Sequence, residues 1–182
     1  MKQQSDEVLK FWYEELEPPQ WFKSTPDLDA EIVRRFGPLL HQLHEVSVDT
    51  IQGTPRELLA AVIVLDQFSR TVHRGTARAF ENDEKALALT RRLVDSGDDK
   101  KLSADERYFL YMPLMHSESL ADQEHCLALY EAMGSENGVH WAKDHIGVIQ
   151  RFGRFPHRNR VLGRANTPEE DAYLESANTY GQ

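Results

Sequence analysis

The chain predicts a single all-α domain of seven or eight helices, and three observations lead there. Apolar residues recur at helical spacing along most of its 182 residues, with no convincing run of alternating strand residues. Three segments have the form of a capping box: Thr54-Pro55-Arg56-Glu57, Ser103-Ala104-Asp105-Glu106 and Thr167-Pro168-Glu169-Glu170. Proline and glycine punctuate the joints, and no linker or low-complexity tract divides the chain, so residues 1–182 read as one domain. Bundle and irregular solenoid are equally compatible with this periodicity. Either would pack its helices in antiparallel pairs.

The elements follow in order. Val8, Leu9, Phe11, Trp12 and Leu16 share one face of a first helix, which Pro18-Pro19 ends. Thr25-Pro26 is a cap followed by proline at the first helical position. The helix it opens carries Leu28, Ile32, Phe36, Leu39 and Leu43, with a kink or break expected at Gly37-Pro38. The run Leu58–Leu65 is apolar on every face and should be the centre of the fold. A fourth helix is expected from Ala77 to Asp95, closed by Gly97. The box at Ser103 opens a helix that Pro113 should bend. Helices over 120–133 and 138–152 stop at Gly134 and Gly153, and the box at Thr167 opens a short last one.

Charge excludes some classes. The formal balance is −9, which argues against nucleic acid as a partner. Residues 151–164 stand apart, with Arg151, Arg154, Arg158, Arg160 and Arg164 and no acid. The chain has 14 Arg against 7 Lys, and arginine supplies a planar fork suited to carboxylate or phosphate. No apolar run nears the roughly 18 residues of a membrane span. Residues Met1–Glu7 lack the pattern of a signal peptide, and the lone Cys126 can form no intrachain disulfide. Cytoplasm is the expected compartment. Phosphate-binding loops, dinucleotide fingerprints, zinc-protease motifs and nucleophile elbows are missing, so no cofactor or metal is expected. His41, His44 and Glu45 read as a solvated helix face.

Three segments place polar groups in apolar company. The first holds Asp66, Gln67 and Arg70, with Asp66 and Arg70 spaced to pair on one helix face. The second, from Tyr111 to Glu118, contains His116. The third runs from Arg151 to Asn159, where Gly153 and Pro156 turn the chain and present Arg154, His157 and Arg158.

These segments resemble the signatures of an uncharacterised bacterial family, domain of unknown function 924. The matching residues are Leu65-Asp66-Gln67-Phe68, His116-Ser117-Glu118 and Arg151-Phe152-Gly153-Arg154-Phe155-Pro156-His157-Arg158-Asn159, supported by Arg74–Phe80 and Leu162-Gly163-Arg164. The resemblance spans roughly Val8 to Leu174. It implies an all-α fold similar to the tetratricopeptide-like right-handed superhelix, and it implies no activity. The chain departs at Ser69-Arg70-Thr71, where the family runs Pro-Arg-Asn, and at His73, a position more often aromatic.

Three uses of the cluster follow. Asp66, Gln67, Arg70, Tyr111, His116, Glu118, Arg154, His157, Arg158 and Asn159 could bind a small anion or an acidic peptide, with Arg70, Arg154 and Arg158 as the clamp. The same groups could form a hydrolase, with Asp66 or Glu118 as base and His116 or His157 as acid–base partner. A variant of it would place a metal on His116, Glu118, His157 and Asp66. Or the cluster could be a buried ion-pair network that fixes helix packing. Self-association through Trp12, Trp21 and Phe22 is expected only if they are exposed.

Overall fold

The computed structural model describes residues 2–177. Helix α1 (Lys2–Lys10) runs into a π-helical turn at Phe11–Glu15, and Val8, Leu9, Phe11, Trp12 and Leu16 are all buried. A 3₁₀ turn at Pro18–Trp21 folds the chain back, and the Trp21 indole donates to the Trp12 carbonyl at 2.8 Å. Trp12 is therefore core rather than an exposed association surface.

Helix α2 (Pro26–Glu45) starts where Thr25 Oγ1 accepts the Leu28 amide. The expected joint at Gly37-Pro38 is not a break: α2 is one helix through Pro38. Two features make this proline tolerable. The preceding Gly37 has no Cβ to meet the pyrrolidine ring. The carbonyl left without its donor belongs to Arg34, on the solvent side, where water can replace it. The buried stripe is Leu28, Ile32, Phe36, Leu40 and Leu43, so Leu40 takes the place expected of Leu39.

Helix α3 (Pro55–Ile63) opens on a complete capping box: Thr54 Oγ1 accepts the Glu57 amide, and Glu57 Oε2 accepts the Thr54 amide at 2.8 Å. It continues through a π-helical turn at Val64–Phe68 into α4 (Ser69–Val72). Every residue from Leu58 to Leu65 is buried. The apolar helix is indeed the centre: α1, α5 (Asp83–Asp95) and α6 (Ala104–Leu110) pack against it, and α2 packs on its π turn. Expected from Ala77, α5 begins only after Asn82, preceded by a separate 3₁₀ turn at Ala77–Phe80. The Asn82 side chain is buried between His44 and Ser69, tying α2 to α4.

Tyr111 separates α6 from α7 (Met112–Met115), the bend that Pro113 predicts. Helices α8 (Leu120–Met133) and α9 (Glu136–Phe152) are joined by Gly134, at φ +70°, and Ser135, which caps α9. So short a joint between two packed helices makes them an antiparallel hairpin. A final short helix, α10 (Pro168–Leu174), starts on the box at Thr167. With α3–α4 and α6–α7 each taken as one interrupted helix, the described residues form eight helices and no strand. No helix among them is long and apolar enough to cross a membrane.

Candidate functional site

The site begins at the π turn. At this turn Gln67 reaches Met112 of α7 and Asp66 reaches His116 at its end, and such turns are frequent where a helix is shaped for function. Asp66 is 1% exposed, and an isolated carboxylate there would be costly. It is not isolated. Oδ1 accepts from His116 Nδ1 at 2.8 Å and lies 3.1 Å from Arg70 Nη1, while Oδ2 accepts from Gln67 Nε2 at 2.6 Å. Burial pushes the acid up, but Arg70 and His116 outweigh it and hold the carboxyl well below its usual range. The pairing of Asp66 with Arg70 is the one the spacing predicts. Arg70 also binds both oxygens of Asp83, at 3.0 and 3.1 Å.

His116 sits at the end of α7. Burial lowers its pKa, with Arg70 and Arg158 adding to the effect against the pull of Asp66, so the ring is neutral at pH 7. A carboxylate can only accept, so the ring proton is on Nδ1 and Nε2 is left with a lone pair. No described residue hydrogen-bonds that nitrogen.

Arg158 arrives from the third segment, on a 3₁₀ turn at Pro156–Arg158. Its guanidinium packs on Phe80 and on Phe155, 4.6 and 4.5 Å from the ring centroids, and the residue is 6% exposed. Its only carboxylate contact among the described residues is Asp83 Oδ2, at 3.5 Å, and Nε has no hydrogen-bond partner there. Burial, followed by the nearby charge of Arg70, brings it down to about 10. His145 and His157 are lowered by burial first and by neighbouring positive or histidine groups next, to about 4 and about 3. Three neutral imidazoles thus accompany one poorly paired guanidinium.

Of these groups, Gln67, Arg70, His116, His145, His157 and Arg158 line a cleft of about 840 Å³. Its cationic lining is Lys23, Arg70, Arg74, Arg158 and Arg160, and no Asp or Glu among the described residues borders it. In a chain of net charge −9 that is a local reversal of sign. The rest of the wall carries seven Phe, Trp or Tyr side chains, among them Trp21, Phe22, Tyr108 and Trp141. Sequence reasoning missed these wall residues. Aromatics at helical spacing read as core, and only the chain's path shows which are shared with a cleft.

Four of the expected site residues lie elsewhere in role. Tyr111 is in the core, with its hydroxyl donating to Asp99 Oδ2 at 2.6 Å, and does not line the cleft. Glu118 takes two hydrogen bonds from Arg164, at 2.8 and 3.0 Å, and one from the Phe155 amide. Arg154 is not part of an anion clamp: it binds Glu170 through two 2.7 Å hydrogen bonds and also donates to the Ala165 carbonyl. That pairing draws Glu170 down to about 2. Asn159 is fully buried and donates to Asn166 Oδ1 at 2.8 Å. These contacts are the scaffold of the Arg-rich turn, pinning α10 and the turn together. Asp66, Gln67, Arg70, His116, His157 and Arg158 are the residues brought together. With Glu118 engaged by Arg164, the mixed metal set does not form, and no three His, Cys, Asp or Glu among the described residues gather as metal ligands.

A family model described as "Bacterial protein of unknown function (DUF924)" matches residues 8–178. The chain is also similar to the solved structure of a protein of unknown function from Agrobacterium tumefaciens. The two are 32% identical, with a TM-score of 0.90, over 97% of this chain and 99% of that one. No curated protein sequence matches.

Proposed function

We propose that this chain, which belongs to the bacterial family of unknown function DUF924, binds a small molecule that carries a carboxylate or phosphate on a flat apolar body. The observation that carries this reading is Arg158, a buried guanidinium that has, among the described residues, one marginal counter-ion contact and no Asp or Glu bordering its cleft. Removing such a charge from water is expensive unless an anion compensates it. Asp83 cannot do so alone, because Arg70 already engages both of its oxygens. Phe80 and Phe155 both pack on the guanidinium, whose planar fork suits a two-point acceptor such as a carboxylate or phosphate. The aromatic wall supplies apolar contact for the rest of the molecule. An acidic peptide would use the same hook, but the concave aromatic surround favours a compact body.

Trp12 and Trp21 border the cleft and report occupancy by fluorescence. Benzoate should quench or shift their emission at low salt, and benzamide, the same shape without charge, should bind far more weakly. Arg158→Gln should weaken benzoate by about 10- to 100-fold, the worth of one charged hydrogen-bonding partner. Equal binding of benzoate and benzamide would end the reading.

A further inference from the structure

We infer that His116 is a general base for hydrolysis of a carboxylic ester held in this cleft by an anionic group elsewhere in the same molecule. The inference rests on the binding reading above and adds a reaction to it. Its basis is the asymmetry of the two ring nitrogens. Nδ1 is fixed on Asp66 at 2.8 Å, and Asp66 is itself immobilised by Arg70 and Gln67. Nε2, on the opposite side of the ring, is the acceptor on a residue that lines the cleft. A base in hydrogen-bond reach of its substrate, oriented by a buried carboxylate, is the arrangement that proton abstraction needs. Asp66 is then a positioning residue, which selects the tautomer and steadies the imidazolium as it forms.

Ser117 and Ser69 do not compete for the nucleophile's role. Ser117 donates to Asp122 Oδ2 at 2.7 Å, and Ser69 is buried against Asn82. Water is the nucleophile. His116 Nε2 takes a proton from a water molecule as its oxygen bonds to the acyl carbon. Collapse of the tetrahedral adduct breaks the acyl C–O bond. The proton on Nε2 then passes to the departing oxygen, which yields an acid and an alcohol and restores the neutral ring. Arg158 holds the remote anion and fixes the ester against the base, a gain from positioning.

The test uses 4-acetoxybenzoate, a planar aryl carboxylate bearing an ester, with uncharged phenyl acetate as control. The full chain should release 4-hydroxybenzoate well above the buffer rate and prefer the charged ester. His116→Gln, whose amide can still donate to Asp66, should keep benzoate affinity and lower kcat by at least about 100-fold. Asp66→Asn should lower kcat with little change in KM, and Arg158→Gln should raise KM. Added imidazole should restore turnover to His116→Ala, which a purely structural histidine would not allow. If benzoate binds but no 4-hydroxybenzoate forms, or if His116→Gln turns over like the parent, the base is overturned while the binding reading stands. If neither benzoate nor 4-acetoxybenzoate binds, both fall.

Discussion

Asp83 reaches Arg158 at 3.5 Å, the outer edge of a hydrogen bond, because both of its oxygens are already taken by Arg70 at 3.0 and 3.1 Å. One carboxylate is shared between two guanidinium groups, and Arg158 receives the smaller share. On the proposed reading, this uneven division leaves Arg158 to an external anion and makes Arg70 a part of the scaffold.

Asp83→Asn therefore leaves Arg158 without a counter-ion and weakens the hold on Arg70. Breaking a largely buried pair from one side costs about 3 kcal/mol, which in a domain of this size lowers Tm by about 6–12 °C. An anion should offset part of that loss. In a thermal melt, saturating benzoate should raise the Tm of Asp83→Asn more than that of the parent chain. A smaller rise in the variant would place the anion away from Arg158.

Arg154 tests the division between scaffold and site. Its two hydrogen bonds to the buried Glu170 hold α10 against the Arg-rich turn. Arg154→Ala should lower Tm yet leave benzoate affinity per folded molecule unchanged by fluorescence titration. A loss of affinity with Tm intact would return Arg154 to the site.

Stability should fall as pH drops from 6.5 to 5. His145 and His157 have folded pKa values of about 4 and about 3, below the 6.5 of an unperturbed ring. In that window the unfolded chain binds protons that the folded chain refuses, so each ring costs about 2 kcal/mol by pH 5. Their contribution is fully present above 6.5 and is lost as pH falls. His116, lowered in the same sense, adds to the slope. Urea melts at pH 7 and pH 5 measure it, and His157→Gln should make the difference smaller by roughly one ring's share.

Two glycines of α9 should respond with opposite signs to alanine. A Cβ on Gly138 would collide with the ring of Tyr130, which is fully buried and cannot swing away. Overpacking of that kind costs about 1–3 kcal/mol. A Cβ on Gly147 would meet nothing within 4 Å, on an exposed turn of the same helix. There alanine should stabilise by up to about 1 kcal/mol through helix propensity alone. Denaturant midpoints of the two variants check both signs.

The helices and their starts were legible in the sequence because they depend on neighbours three or four residues apart. Thr54, Ser103 and Thr167 each cap the helix their pattern announces, and Asp66 meets Arg70 one turn away. The misread points divide: Pro38 is accommodated locally by the glycine before it, whereas α5 starts late because Asn82 is engaged by other helices. What the sequence alone determined is thus an all-α chain with its punctuation and its three polar segments. Only the tertiary structure decided which arginine serves which carboxylate. Arg154 and Arg158 lie four residues apart on one basic stretch, yet one is closed on Glu170 and the other opens on the cleft. The difference is set by partners 16 and 75 residues away, whose approach depends on how whole helices pack rather than on any spacing along the chain.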